Sequence, residues 1–540
     1  MESPRPYRRL RKASDLRSAH SSERVSMSQK AVDDEDMISR LPDDILIMIL
    51  SKMDARAAMV TTILSKRWHS LPQLHTCYDL DVNDILPRRY HRQKRLYGEA
   101  KAGYEAEKCE DRLTDICAIR ERHKQWMGRI MSLRASLEHY KRCAMRRYVK
   151  LVNAFLLVPK SARKCRSIQK LRLQTFGSSS RYWIDRWIIA AITKWKVEDL
   201  SLAAVDHGVF NFKHLNGRQK VRLNSLSLSN WIAVGIHKSP VFRRLTKLSL
   251  SNLSCMGETG SILRHCIQIK DLRLTACCIT VDQPVFQIDA PRSKIKNLQV
   301  EDCNFVKLYL FSLPCLETLV CRGQPTKIHY GNVPQLKHLS LNYLQPETII
   351  KDNLTSSNKV YPLKKLFKRI PPLENLVLQF KGTQMWVEQT PIPSWFRHLN
   401  RLFVANVPVE WDIFWILFLL DAAPVLEMLH VHIGSPGKED TGEVCKGIDA
   451  EHLQYSNLKE LTVIGFHGAR TQIGLVRQIM KLSPELMHVH LLDGNVKEDE
   501  RGLGNLEIIQ YRSEWHECER AEIVDELTDG ICSGALVVLE

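Results

Sequence analysis

The chain has 540 residues, of which 44% are hydrophobic and 26% charged, and a formal net charge of +18. This composition is ordinary for folded proteins and excludes a largely disordered or collagen-like chain. The N-terminal stretch has no apolar segment of a secretory leader, and the longest apolar run, at 411–420, is too short to cross a bilayer. We therefore expect no membrane partner, and reduced thiols for the 15 cysteines in a nuclear or cytoplasmic protein.

The positive charge is distributed unevenly along the chain. Residues 83–150 contain 18 Lys or Arg and 9 Asp or Glu, whereas residues 491–540 contain 4 and 13. A basic helical surface is more often solvated than bound to nucleic acid, so a nucleic-acid partner is the less favoured interpretation. Nucleic-acid binding through this region would show a steep dependence of affinity on salt, and that dependence would disappear when residues 83–150 are removed.

The first folded segment is expected at residues 36–82, after a polar tail at 1–35 that we expect to be disordered. Pro42 precedes two acidic residues, a pattern typical of the first turn of a helix. Ile45 and Ile49 lie four residues apart, as do Leu46 and Leu50, so the helix carries an apolar face. A segment this small cannot bury that whole face, which favours a partner protein over a self-contained helical hairpin.

Three short motifs in this segment resemble the F-box of plant F-box proteins: Leu41-Pro42-Asp43, Ile49-Leu50-Ser51 and Leu64-Ser65-Lys66-Arg67-Trp68. In that family the F-box is a three-helix unit that packs on the Skp-type adaptor of a cullin-RING ubiquitin ligase. The resemblance implies adaptor contacts from seven residues: Leu41, Pro42, Ile45, Leu46, Ile49, Leu64 and Trp68. The chain departs from the family pattern at residues 52–54 and 70–72, which lack the usual leucine-proline pair and the tryptophan-containing segment.

Residues 83–150 predict a basic helical insert or linker between the F-box and the remainder of the chain. Apolar residues at helical intervals indicate two amphipathic helices, one with Ile116 and Ile119 and a second with Ile130, Leu133 and Leu137. These helices are expected to lean on the first repeat of the next domain. Residues 88–103 are expected to be an exposed linker.

A leucine pattern repeats through residues 151–456 and continues into 457–492. Units of the form Leu-x-x-Leu-x-Leu recur, and the steps between their central leucines from Leu171 to Leu339 are 20 to 29 residues. This spacing is typical of an irregular leucine-rich repeat array, in which each unit gives one short parallel strand. The predicted fold class is therefore α/β, with a three-helix F-box followed by a solenoid with parallel β-strands on its concave face.

Side chains that alternate with the strand leucines should point to the concave face. Several are small and polar, which favours a shallow surface that accepts a segment of a target protein. The candidate target-binding residues are Ser227, Ser229, Ser249, Ser251, Arg273, Thr275, Gln299, Glu301, Ser340 and Asn342.

The end of the array carries a second resemblance. Residues 457–492, with Leu458, Leu461, Gly465 and Gly468, are similar to the FBD region that closes many plant F-box/leucine-rich repeat proteins. The resemblance implies a variant terminal repeat whose glycines lead into a capping helix. Residues 493–540 form an acidic tail, and the sequence leaves open whether this tail folds.

The sequence contains no phosphate-binding loop, no dinucleotide fingerprint, no HExxH motif and no GxSxG motif. Two pairs, His430-x-His432 and His488-x-His490, could each place two imidazoles on one strand face, but surface residues are favoured over a metal pair. We expect no catalytic residue, no metal and no cofactor.

The family resemblance implies the substrate-recognition subunit of an SCF-type ubiquitin ligase. Such a subunit binds the Skp-type adaptor, reaches the cullin and RING subunits through it, and holds a target protein that the sequence does not identify. Three alternatives stay open. They are a leucine-rich repeat scaffold that has lost adaptor docking, a nucleic-acid binder that uses residues 83–150 and, least favoured, an enzyme.

Overall fold

A computed structural model describes residues 38, 40–51, 65, 67–68, 76–110, 116–157, 168–177, 181–211, 222–234, 240–253, 259–279, 281, 284–344, 361–362, 367, 369–381, 387–388, 395–408, 411–434, 454–499, 502–511 and 515–540. The tail at 1–35, Leu64 and the departures at 52–54 and 70–72 lie outside these ranges, so the structure does not report on them.

One long parallel sheet organises the chain. The described strands are, in chain order, β1 (Cys77–Asp81), β2 (Lys170–Thr175), β3 (Asp199–Asn211), β4 (Ser225–Val234), β5 (Lys247–Ser251), β6 (Asp271–Thr275), β7 (Val285–Asp289), β8 (Asn297–Glu301), β9 (Lys307–Ser312), β10 (Thr318–Gly323), β11 (Lys327–Asn332), β12 (His338–Leu344), β13 (Tyr361–Pro362), β14 (Asn375–Lys381), β15 (Val387–Glu388), β16 (Arg401–Val407), β17 (Met428–Ile433), β18 (Glu460–Ile464), β19 (His488–Leu492), β20 (Gly494–Glu498), β21 (Leu506–Gln510) and β22 (Leu536–Leu539). Fifteen of them pair in the order β1-β2-β3-β4-β5-β6-β8-β10-β12-β14-β16-β17-β18-β19-β22.

The central leucines of the repeats hold this sheet in register. Leu171 of β2 pairs with Leu200 of β3, and the same position continues strand by strand to Leu461 of β18. All of these leucines are buried. A single strand cannot cover its own leucines, so each strand is stabilised by the two beside it. The predicted solenoid with parallel strands is confirmed.

A second layer covers the leucine side of the sheet. The described helices are α1 (Asp43–Ser51), α2 (Arg88–Glu110), α3 (Ile116–Leu156), α4 (Arg181–Ile189), α5 (Thr259–His265), α6 (Ile416–Asp421), α7 (Arg470–Leu482) and α8 (Glu517–Thr528). In the middle of the array, a small parallel sheet in the order β11-β9-β7 takes the place of helices. Its apolar residues, such as Ile288 and Leu308, are buried in the same core as the strand leucines. We call the opposite face of the long sheet the concave face.

The prediction of an exposed linker at residues 88–103 is wrong, because α2 begins at Arg88 and continues to Glu110. The helix is held by α3. Trp126 of α3 lies against Gly103, where an added β-carbon would come within 2.9 Å of the indole, and its Nε1 donates to Glu107. The sequence does not predict this packing, because α2 has few apolar residues. The contact of an indole with a glycine leaves no hydrophobic periodicity.

The C-terminal part of α3 belongs to the solenoid. Tyr148, Val152 and Leu156 are buried in the main core, and the Tyr148 hydroxyl donates to the Leu80 carbonyl of β1 at 2.7 Å. The Trp195 indole donates to the Leu156 carbonyl at 2.9 Å. The helix therefore closes the first repeat, as expected. The prediction of two separate helices with Ile116 and Ile119 and with Ile130, Leu133 and Leu137 is wrong, because α3 is continuous from Ile116 to Leu156.

The acidic region 493–540 is folded over its described residues. Strands β20 and β21 pair as an antiparallel hairpin, α8 packs beside α7, and β22 adds to the edge of the long sheet next to β19. The predicted terminal repeat is therefore not terminal. Gly465 and Gly468 have φ angles of +73° and +75° and precede α7, as their glycine character predicts. Among the described residues, no helix is long and apolar enough to cross a bilayer.

Candidate functional site

The F-box segment has a small core of its own. Leu46, Leu50 and Trp68 are buried against one another, with Leu41 and Ile47 packed around them, and this cluster is separate from the solenoid core. Leu46 and Leu50 lie four residues apart on α1 and therefore share one helical face. This buried face packs against Trp68 and so fixes the position of α1.

Arg67 connects the two ends of the motif. Its Nε donates to Asp43 at 2.8 Å and its Nη2 donates to the Leu41 carbonyl at 2.5 Å, while the Trp68 amide donates to Ser65 Oγ at 3.2 Å. Asp43 opens α1, where a carboxylate interacts favourably with the helix dipole. The spacing of apolar residues does not predict this pairing of Arg67 with Asp43, although both residues stand inside the F-box motifs.

A different face of α1 stays on the surface. Ile45 and Ile49 are 38% and 39% exposed, and Met48 is more exposed still. We call these three residues the apolar stripe. The structure thus separates the predicted adaptor residues: Pro42, Ile45 and Ile49 are exposed, Leu41 is half-buried, and Leu46 and Trp68 are interior. Leu64 lies outside the described residues.

The concave face carries one row of side chains at the middle of the strands, paired in register from one strand to the next. This central row runs through Asp79, Arg172, Ser201, Ser227, Ser249, Arg273, Gln299, Val320, Ser340, Val377, Phe403, His430, Thr462, His490 and Val538. Up to Arg273 the row is polar and at least partly exposed; from Gln299 to Val377 it is buried. The concave face therefore has an open polar section and a covered section.

An acidic residue, Glu301, lies where the open polar section meets the covered section. Glu301 accepts from Arg273 at 3.0 Å and from Thr275 at 3.2 Å, and it also pairs with Arg322 of the neighbouring strand. Burial raises the pKa of Glu301, but the hydrogen bond from Arg273 and the charge of Arg322 outweigh it, so the pKa lies below its usual value. Glu301 is thus ionised and shared by two guanidinium groups.

The middle of the covered section, at β10 and β12, lies under the hairpin of β20 and β21. Arg322 pairs with Glu498 at the end of β20 and donates to the Gly502 carbonyl at 3.2 Å, and Gly504 lies directly on Ser340. Ser340 is only 1% exposed and Gln299 only 8%. These two predicted target-binding residues are therefore covered. Ser340 is covered by Gly504, which lies more than 160 positions later in the chain, and repeat periodicity does not predict this contact.

The other predicted target-binding residues remain at the surface to different degrees. Ser227, Ser229, Ser249 and Ser251 are partly exposed on the open section. Arg273 is exposed, and Thr275 and Glu301 are half-buried beside it. Asn342 is partly exposed and donates to Gln379 at 3.1 Å. The open section and the Glu301 group are therefore adjacent parts of one surface.

In the part of the chain that the structure describes, no group of three or more His, Cys, Asp or Glu side chains is arranged to hold a metal ion. His430 Nε2 lies 3.6 Å from Glu460, and His432 Nδ1 accepts from the Asn406 amide at 3.2 Å. His488 and His490 stack with ring centroids 6.1 Å apart.

Burial lowers the pKa of His432 from its ordinary value of 6.5 to about 4. Between these values the folded chain binds fewer protons than the unfolded chain at this position. The contribution of His432 to the free energy of unfolding is therefore complete above about pH 6.5 and is lost as the pH falls towards 4. We expect the urea midpoint to fall less between pH 7 and pH 5 in His432→Asn than in the wild type, because the amide accepts the same hydrogen bond without titrating.

The exposed Asn400, whose side chain does not titrate, provides the control for this measurement. Asn400→Gln should keep the wild-type dependence of the urea midpoint on pH. An unchanged dependence in His432→Asn would contradict the assignment.

Comparisons with known proteins agree with this architecture. The sequence profile of the At1g61320/AtMIF1 LRR domain matches residues 162–519, and that of the F-box domain matches residues 38–78. Arabidopsis thaliana F-box/LRR-repeat protein At3g62440 is 51% identical over 53 residues, F-box/LRR-repeat protein At2g42730 is 41% identical over 54, and F-box protein At4g27050 is 48% identical over 48.

These three alignments cover 9–10% of the chain and 11–12% of each relative. The resemblance of residues 457–492 to an FBD region stays a prediction. The LRR-domain match, by contrast, spans more than half of the chain and adjoins an F-box. The chain therefore belongs to the plant F-box/leucine-rich repeat proteins with an LRR domain of the At1g61320/AtMIF1 type.

Proposed function

We propose that the chain is the substrate-recognition subunit of an SCF-type E3 ubiquitin ligase. In this proposal α1 docks a Skp-type adaptor, and the concave face of the repeats holds a target protein. The observation that carries the proposal is the apolar stripe of Ile45, Met48 and Ile49, which stays exposed while Leu46 and Trp68 fix the helix that bears it.

The free energy of docking depends on the division of α1 into an exposed apolar face and a buried face. Fully burying an exposed aliphatic side chain contributes about 1.5–3 kcal/mol. The three residues are 38–54% exposed, so burying the remainder supplies part of a submicromolar affinity. Because α1 is already held by Leu46, Leu50 and Trp68, little conformational entropy is lost on binding. The adaptor-contact set is thus centred on Pro42, the apolar stripe and the half-buried Leu41.

In this proposal the chain holds the target protein near the ubiquitin-conjugating enzyme. Other components of the ligase carry out the chemical step. The adaptor, the cullin and the RING subunit bring a charged ubiquitin-conjugating enzyme near a target held on the concave face. A tethered target lysine then reacts at a high effective concentration. The nucleus or the cytoplasm, where such ligases act, is the proposed location.

A second candidate is a leucine-rich repeat scaffold that does not dock an adaptor. The open polar section of the concave face suits either function, because it binds a target in both. Exposure of the apolar stripe favours the ligase, since a scaffold has no use for an unburied row of aliphatic side chains on a short helix.

The deciding experiment is titration of the full-length chain with purified Skp-type adaptor by calorimetry. We expect submicromolar binding in a one-to-one complex, and target ubiquitination when the cullin and RING subunits are added. A folded chain that does not bind the adaptor would overturn the ligase proposal and leave the scaffold.

A further inference from the structure

The part of the covered section at β10 and β12 is occupied by a later segment of the same chain. We call the described residues 498–499 and 502–504 the hairpin tip, since they join β20 to β21. Besides the contacts of Arg322, the tip reaches the next strand, where Gly504 lies directly on Ser340 of β12. The tip therefore spans β10 and β12 in the way that an extended bound peptide crosses neighbouring strands.

The contact depends on the absence of a side chain at one position. Gly504 has a φ angle of +77°, and a β-carbon added there would overlap Ser340 and lie 3.3 Å from Val320. Both the backbone conformation and the space therefore require glycine. The Gly504 backbone therefore packs directly on Ser340 and Val320 of the concave face.

The charges under the tip are balanced by the tip. Arg273 and Arg322 share Glu301, and Glu498 supplies the second carboxylate through its pairing with Arg322. Without the tip, this group would hold two guanidinium groups and one carboxylate. The uncovered surface would thus attract an anionic group at Arg322.

The fit is incomplete in hydrogen bonds. Among the described residues under the tip, Ser340 Oγ is buried and has no hydrogen-bond partner. Covering a polar atom without pairing it opposes the covering. The tip is therefore held by charge and shape but destabilised by the unpaired Ser340 hydroxyl, and a segment that pairs with this hydroxyl would compete with it.

We propose that the hairpin tip is an internal ligand, and that it occupies the site where an acidic segment of a target protein docks. A carboxylate of the target would take the place of Glu498 on Arg322, and a glycine would lie over Ser340. The proposal rests on the proposed function, since it names the kind of segment that the concave face receives. The open polar section beside it would receive the rest of the target.

The test uses the full-length chain and a fluorescein-labelled synthetic peptide with the sequence of residues 496–506. In the wild type, the tethered tip competes at a high effective concentration and the peptide binds weakly. Gly504→Ala should lift the tip, so that amide exchange at 502–505 accelerates at least tenfold and the peptide binds at least tenfold more tightly. The matched control is Gly530→Ala, because Gly530 has a φ of +67° but nothing within 4 Å of an added β-carbon.

Further variants identify the group that is recognised. In the Gly504→Ala background, Arg322→Met should abolish peptide binding. A peptide with Glu498→Gln should bind at least tenfold more weakly, and one with phosphoserine at this position reports whether a phosphate replaces the carboxylate. Faster exchange without peptide binding would overturn the docking site, and unchanged exchange in Gly504→Ala would overturn the role of the glycine contact. Adaptor affinity, measured on the same variants, tests the proposed function separately, because α1 is unaltered.

Discussion

Replacing both Ile45 and Ile49 by alanine is expected to weaken adaptor binding on the order of 100-fold. Each truncation removes an exposed aliphatic group that the adaptor would bury, and losses of about 1–2 kcal/mol per side chain add to about 3 kcal/mol. Alanine is the strongest helix former, so α1 should persist in the variant. Calorimetric titration of the full-length double variant with the adaptor measures the loss.

The chain offers a closely matched control for this change. Ile189 in α4 and Ile267 after α5 are 39% and 37% exposed, nearly the same as the two residues of the apolar stripe. Ile189→Ala combined with Ile267→Ala should leave adaptor affinity within about twofold. Amide exchange of α1 should be unchanged in both double variants, which separates lost contact from lost structure. Wild-type affinity in Ile45→Ala with Ile49→Ala would remove the apolar stripe from the docking surface.

The repeats are predictable from sequence because their physical cause is local and periodic. Each unit places leucines two and three positions apart, and the strands they predict pair at the positions of the central leucines, as with Leu226 and Leu248. Two strands of the long sheet are not predicted, and a third, β19, is anticipated only through the placement of His488 and His490 on one strand face. Strands β1 and β22 lie at the two edges of the described sheet, and neither carries the full Leu-x-x-Leu-x-Leu pattern.

The functional surface is predictable only in part. Spacing along α1 indicates an apolar face, but it does not distinguish Leu46, which is buried, from Ile45, which is exposed. That distinction depends on Trp68 and Arg67, which approach the helix from more than 20 residues away. On the concave face, periodicity locates Ser340 but carries no information on the hairpin tip that covers it. The glycines at 502 and 504 are the available signal, since isolated glycines often mark close backbone approach.

The predicted boundary at residue 150 cuts through a helix that the solenoid needs. Residues 83–150 include Tyr148 and Met145, which are buried in the main core, whereas Met131 on the same helix is exposed. Deleting the whole insert would therefore damage the first repeat, and a salt-dependence experiment on such a variant would not isolate nucleic-acid binding. The part of α3 around Met131 is where basic residues can be changed without touching the core.

Tyr148→Ala is expected to have the largest effect on stability at the N-terminal end of the array. The ring is buried edge-on to Trp187, with centroids 5.7 Å apart, and its hydroxyl donates to the Leu80 carbonyl. Removing a buried aromatic ring costs about 4 kcal/mol. Because a solenoid is stabilised by nearest neighbours, the loss should appear locally, as amide exchange roughly a thousandfold faster in β1 and β2 than in the wild type.

Two further variants show which part of the side chain is responsible. Tyr148→Phe keeps the ring and loses only the hydrogen bond, so its cost should be about 1 kcal/mol, or roughly fivefold in exchange. Met131→Ala, on the exposed part of α3, should change exchange in β2 by less than about twofold. Equal effects of Tyr148→Ala and Met131→Ala would mean that α3 does not close the first repeat. A large effect confined to Tyr148→Ala would show that the insert and the repeats are one folded unit, which fixes the end of the concave face nearest the F-box.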